Sequence, residues 1–274
     1  EKEDAEGLNL LVPPYRVDVQ RPCDVVEDIL RIYGYNNVEI PTELKSSLTI
    51  AEEADKNYHR ENIIGEQLVG AGFSEIMNNS LTKSSYYEET GLNAYPWEET
   101  VKVMNPLSAD LGVMRQTLLF GGLESIVRNV NRKAQNLRFF EVGNVYKFNK
   151  EKWSEESPVK AYSQDYHMAL WVTGKRVQGS WAHPDEESTF YELKAYVENI
   201  LRRIGIAQGL LVSEKSDNNV FDKAIVLKTR AGKVLVEMGI LSHKLLKSFN
   251  IDQKVYYAEL DWAGLMKAIR KNKL

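Results

Sequence analysis

Hydrophobic positions recur at helical spacing behind Pro22, at Val25, Val26, Ile29, Leu30 and Tyr33, and predict a helix with one buried stripe. Pro22 suits the first turn of that helix, where its missing N–H would be unpaired anyway. Asp24, Glu27, Asp28 and Arg31 fall at i, i+3, i+4 and i+7 and share the opposite face. A short extended segment, YRVDV, delivers Asp18 just ahead of the helix. GYNNVEIPTELKSS then reads as an irregular connection, with Pro41 breaking the periodicity.

Beyond it, a helix is expected over residues 51–71, with Ile64, Leu68 and Ala71 on one face and Gly72 as its stop. FSEIMNNSL alternates like a strand, and TKSSYYEETG reads as a helix from Thr82 to Gly91. TVKVMNPL suggests a strand ending at Asn105-Pro106, and LLFGGLESIVRNVNR a helix with Leu118, Leu119, Leu123, Ile126, Val127 and Val130 on its apolar side. LRFFEVGNVYKF and YHMALWVTG are rich in β-branched and aromatic residues and predict strands. TFYELKAYVENILRRIG is the clearest amphipathic helix. AIVLKTRAGKVLVEMGILS has the look of a strand pair turning at Ala231-Gly232, and VYYAELDW of a strand feeding the helix WAGLMKAIR. Helices followed by hairpin-connected strands argue for an α+β fold around an antiparallel sheet.

Composition narrows the class of protein. The chain has 274 residues, 43% hydrophobic and 27% charged, values of a globular protein able to bury a core. No apolar run approaches the ~18 residues that would span a membrane, and EKEDAEGLNL is no signal peptide. That acidic opening without Met suggests a piece of a longer chain. A single cysteine, Cys23, excludes an internal disulfide and fits a reducing cytosol. The formal charge of −4 argues against the chain as a whole holding nucleic acid electrostatically. The one dense basic cluster, KAIRKNKL, reads as a solvated tail.

Asp18, Asp24, Glu27 and Asp28 offer oxygen ligands suited to a hard divalent cation. The same acids also complement a helix dipole, pair at i, i+4 with Arg31, or line a solvated face. Spacing alone leaves these readings open.

The stretch containing these acids closely resembles the end of the B5 domain in the beta subunit of bacterial phenylalanyl-tRNA synthetases. The match runs through Val12, Pro13, Arg16, Asp18, Asp24, Glu27, Asp28, Arg31, Tyr33, Gly34, Tyr35, Asn36 and Pro41. The resemblance implies a magnesium site, shared with the alpha subunit, at Asp18, Asp24, Glu27 and Asp28, the last being Asp where Glu is common. It continues through NPLSADLGVMRQTLLFGGLESIVRNVNR, LRFFEVGNVY and TFYELKAYVENIL, which look like that family's degenerate copy of the class II aminoacyl-tRNA synthetase domain. The implied fold is a class II-like antiparallel sheet flanked by helices (residues 42–274), preceded by the C-terminal part of a small winged-helix-like B5 domain (residues 1–41). The implied partners are an alpha subunit, in a heterotetramer of two alpha and two beta chains, and tRNA(Phe). The resemblance further implies a cytoplasmic setting and an assembled enzyme that uses ATP to attach phenylalanine to tRNA.

Neither catalytic nor ATP-binding residues are expected in this chain itself. The active class II strand carries Arg-x-Glu on one face, so that the Arg forks onto a phosphate. Here the nearest pair is Arg138 and Glu141, which a regular strand turns to opposite faces. VYYAELDWAGLMKAI offers Gly264 but no Arg at its strand-to-helix turn. His59, His167, His183 and His243 are too scattered for zinc. His183, in the loop SWAHPDE, can be a functional or an ordinary surface histidine. Arg115, in VMRQTLL, reads either as an interface or core-rim residue paired with a carboxylate or as an ordinary structural arginine. The expected role is therefore a non-catalytic scaffold for the alpha subunit. A stand-alone RNA- or protein-binding module with a degenerate class II fold is the alternative, and an independent acyl-adenylating ligase is disfavoured by the absent arginines.

Overall fold

The computed structural model describes residues 2–4, 7–43, 52–206 and 209–270. The chain divides into two units, Glu1–Ile50 and Ala51–Leu274.

The first unit holds a two-stranded antiparallel ribbon, β1 (Lys2–Asp4) with β2 (Gly7–Asn9), and one helix, α1 (Pro22–Tyr33). Pro22 opens α1 as expected, and Gly34, at φ +93, closes it by donating its N–H to the Leu30 carbonyl. Two expectations fail here. No residue of α1 is buried: Val26, Ile29 and Tyr33 stay more than half exposed. Asp18 comes from turns rather than an extended segment; Arg16 N–H bonds to Pro13 and Val19 N–H to Arg16.

The second unit is built in three layers. In chain order it contains α2 (Glu53–Gly70), β3 (Ser74–Glu75), β4 (Leu81–Thr82), α3 (Ser85–Glu88), β5 (Val113–Met114), α4 (Leu119–Val130), β6 (Leu137–Phe148), β7 (Tyr162–Thr173), β8 (Lys175–Val177) and β9 (Glu186–Glu187). There follow α5 (Phe190–Arg203), β10 (Val212–Ser216), β11 (Phe221–Lys228), β12 (Val234–Leu241), α6 (His243–Ser248), β13 (Val255–Asp261) and α7 (Trp262–Arg270). The central sheet has seven strands in the order β10-β11-β12-β13-β7-β6-β3. It is antiparallel except at one edge, where β3 runs parallel to β6, so the sheet is mixed rather than purely antiparallel.

Period-two alternation sends the side chains of each strand to two different cores. Phe140, Met168, Leu170, Val172, Met238 and Ala258 face α2, α5 and α7. Phe139, Ala169, Trp171, Ala224 and Tyr257 face α4 and α6. Gly122 on α4 lets the helix press on the sheet, since a Cβ there would run into the Trp171 ring. Local chemistry fixes the helix ends. The Thr189 side chain caps α5, Ser242 caps α6, and Asp261 accepts the Gly264 N–H at 2.7 Å to start α7.

The expected strands in FSEIMNNSL and TVKVMNPL shrink to two-residue pairs and one isolated bridge, Lys102 with Val113. The helix expected in TKSSYYEETG is a single turn. In each segment the backbone bonds to loops or side chains instead of a ladder; Asn78 N–H, for instance, goes to Glu141.

Candidate functional site

In the first unit the four predicted acids share one stretch but do not converge. Arg16 sits between two of them: its Nη2 is 2.7 Å from Asp28 Oδ2 and 3.1 Å from Asp18 Oδ2, and its Nε is 3.2 Å from Asp18 Oδ1. These hydrogen bonds hold the Asp18 carboxyl below its ordinary range and push the guanidinium up. Asp24 is turned back onto the helix start. Its Oδ2 accepts the Gln20 and Arg21 backbone N–H groups at 3.0 and 2.8 Å, which lowers its pKa to about 2. Glu27 pairs with Arg31 at 2.7 Å, one turn further on. Among the described residues no three His, Cys, Asp or Glu side chains gather closely enough to hold a metal ion. The all-oxygen donor set suits magnesium chemically. The arrangement in this chain alone does not fit it, because Arg16 and backbone donors take the oxygens.

The second unit separates the two residues of the broken Arg-x-Glu pattern. Arg138 pairs across the sheet with Val172 and reaches the α5 side, where its Nη2 lies 3.1 Å from Glu192 Oε1. Glu141 points to the α4 side and is almost fully buried. There Arg115 Nη1 meets Glu141 Oε1 at 2.6 Å, and Asn78 gives its Nδ2–H to Oε2 at 2.6 Å. Arg115 also donates to the Asn144 carbonyl at 2.9 Å. Gly143 makes the pair possible, since a Cβ there would collide with the guanidinium. Arg115 thus pairs with a carboxylate as the sequence suggested, and it does so in the core.

Sequence reasoning missed a second carboxylate on this face, the half-buried Glu259 of β13. One oxygen takes His167 Nδ1 at 2.8 Å and the Leu118 N–H at 3.4 Å; the other takes the Tyr257 and Thr117 hydroxyls at 2.5 and 2.6 Å. Burial alone would raise the Glu259 pKa, but His167 and the hydroxyl donors outweigh it and leave it lowered. For His167, burial works downward and the bond to Glu259 upward, with a net rise. The register makes a rank of three glutamates on one face: Glu237 pairs with Glu259, Glu259 with Ala169, and Ala169 with Glu141. The isolated Glu within the aromatic run VYYAEL was the available signal, because the period of two puts it beside Tyr257.

The remaining candidates are peripheral. Cys23 is free and exposed. His183 lies in an exposed loop beside a fully exposed Trp181, and Asp185 holds that loop through Lys175 Nζ and the Gly179 N–H, both at 2.5 Å. Among the described residues, no helix is long and apolar enough to cross a membrane.

Comparison with known proteins places this geometry in context. Residues 40–262 match the family model described as "Phenylalanyl tRNA synthetase beta chain CLM domain", and residues 1–35 match "tRNA synthetase B5 domain". A Bacteroides fragilis protein named phenylalanine–tRNA ligase beta subunit is 57% identical over 99% of this chain and 33% of its own length. Its namesake in Porphyromonas gingivalis is 48% identical over 100% of the chain and 33% of its own length. The chain thus spans about a third of the curated relatives it matches. Among solved structures, the pyrrolysyl-tRNA synthetase from Desulfitobacterium hafniense superposes with a TM-score of 0.57 at 14% identity, covering 79% of this chain and 70% of that one. That likeness shows a shared fold.

Proposed function

The chain belongs to the phenylalanyl-tRNA synthetase beta-chain family, and from that premise we propose that it forms the scaffold region of a phenylalanine–tRNA ligase beta subunit. The assembled enzyme attaches phenylalanine to tRNA at the expense of ATP, in the cytoplasm, as two alpha and two beta chains. Residues 1–41 are the closing part of a winged-helix-like B5 domain, and residues 42–274 are a catalytically silent class II-like core.

One observation carries the silent-core reading. Two residues before Glu141, the strand position that would present a phosphate-binding arginine carries Phe139; the nearest arginine, Arg138, is committed to Glu192 on the α5 side, while Glu141 is paired with Arg115 on the α4 side. A phosphate clamp needs a free guanidinium and its orienting carboxylate on one surface. Here both charges stabilise the packing of the sheet instead. The scaffold role is tested by mixing the full-length chain with an alpha subunit: the two are expected to co-elute on gel filtration. Separate elution would refute it.

The magnesium assignment belongs to the assembly. Asp18, Asp24, Glu27 and Asp28 supply carboxylates, and a cation bound among them would supply charge bridging the chain to a neighbouring subunit. Arg16 must first release Asp18 and Asp28. Replacing Asp24 and Glu27 by Asn and Gln is expected to raise the magnesium concentration at which the mixed subunits co-elute. An unchanged magnesium dependence rejects the assignment.

A further inference from the structure

The face that carries the glutamate rank opens, beside β12 and β13, onto a cavity of about 460 Å³. That volume suits a small molecule. Its wall contains Tyr95 and Leu235 as apolar surfaces and Gln116, Asp165, Glu237 and Glu259 as polar ones.

The charge in this wall is unbalanced. Lys233 is held by Asp261 at 2.6 Å and Lys147 by Glu99 at 3.3 Å, so both lysines already have partners. His167 serves Glu259. Glu237 stands directly across the strands from Glu259 and, among the described residues, receives hydrogen bonds from the neutral Ser216 hydroxyl and the Asn218 amide. Asp165, at the exposed rim, reaches the cavity's cationic groups only through its longer-range attraction to His167, among the described residues. Carboxylates placed opposite each other on neighbouring strands repel. The cost is visible in Glu237: burial pushes its carboxyl up, Ser216 only partly opposes this, and Glu259 adds to it. Beside it, Gln116 is 2% exposed; its Nε2 donates to Pro96 and Thr100, while its Oε1 is buried without a donor.

A cavity with surplus acceptors, surplus negative charge and apolar walls selects against anions. It does not select a bare metal ion, since no three ligating side chains converge among the described residues. We propose that this cavity binds a small organic ammonium ion, with its charge set against Glu237 and Asp165 and its carbon skeleton against Tyr95 and Leu235. The site stands on the geometry of the sheet and does not depend on the assembly reading above.

The test is calorimetric titration of the full-length protein with cyclohexylammonium chloride, and with cyclohexanol at the same ionic strength. The ammonium is expected to bind at least about tenfold more tightly than the alcohol of the same shape. Glu237→Gln, which keeps the size and removes the charge, is expected to weaken the ammonium about tenfold and leave the alcohol unchanged. Asp165→Asn, at an exposed position that cannot unfold the sheet, is expected to weaken it several-fold, and it carries the test if the Glu237 variant does not fold. No saturable binding by the unaltered protein, equal affinity for ammonium and alcohol, or unchanged affinity in the folded variants would each overturn the proposal.

Discussion

The carboxylates of the first unit and the glutamates of the second are the same chemical groups in opposite situations. Asp18, Glu27 and Asp28 are paired with Arg16 or Arg31 at 2.7–3.2 Å, in side chains that remain well exposed to water. Glu141 is buried and Glu259 half-buried on the inner faces of the sheet, and their cationic partners arrive from distant parts of the chain, Arg115 and His167. Exposed pairs gain little, because water solvates the separated charges almost as well. Buried pairs are held in place because separating them leaves a bare charge in a poor solvent. The acids most visible in the sequence therefore contribute little to folding. The less visible ones fix how β6, β7 and β13 pack against the strand-to-helix turn at Arg115–Leu118.

The sharpest way to break that contrast is to remove one arginine from each region. Arg115→Met strands the Glu141 carboxylate and is expected to destabilise the second unit by about 3–5 kcal/mol, read as a lower denaturant midpoint. Arg16→Met is expected to leave that midpoint unmoved. Equal effects would show that burial does not separate the two groups.

A smaller effect tests His167 and Glu259. The folded pKa of His167 is raised above its ordinary value of about 6.5. Its contribution is therefore complete below that pH and is lost as pH rises through the folded value. The Glu259 pKa is lowered, so its contribution is present above the ordinary carboxylate range and is lost as pH falls through the folded value. His167→Gln is expected to cost about 1.5–3 kcal/mol near pH 5.5, with the deficit shrinking toward pH 8. A deficit that grew with pH would mean that His167 is neutral in the fold.

The smallest change is expected at Asp24. Its pKa of about 2 means that its support of α1 persists above the ordinary aspartate range and is lost as pH falls toward that value. Asp24→Asn should reduce helical circular dichroism slightly at neutral pH and erase the acid-range transition. A retained transition would assign it to another carboxyl.

The sequence made these regions legible to different degrees. Helices α1, α4, α5 and α7 and strands β6, β7, β11, β12 and β13 follow from periodicity, because each keeps one apolar face over several turns or a long alternation. The predicted opposition of Arg138 and Glu141 follows from the period of two along one strand. The partners of Glu141 and Glu259 do not, since they depend on which strands are neighbours and in what register. The parallel edge made by β3 is equally long-range. The apolar stripe of α1 shows the converse failure: periodicity identifies a face that seeks burial, yet Val26 and Ile29 remain about half exposed. The acids of α1 were placed correctly on one face, but their rotamers were set by Arg16, Arg31 and the free N–H groups at the helix start.

On this reading the class II-like sheet of the chain has turned its charged groups to structural use and forms no adenylate. That silence is tested most directly by ATP–pyrophosphate exchange with the full-length chain purified without an alpha subunit. The account predicts exchange at the background rate at any phenylalanine concentration, and restored exchange when the alpha subunit is added. Saturable, phenylalanine-dependent exchange by the chain alone would contradict it.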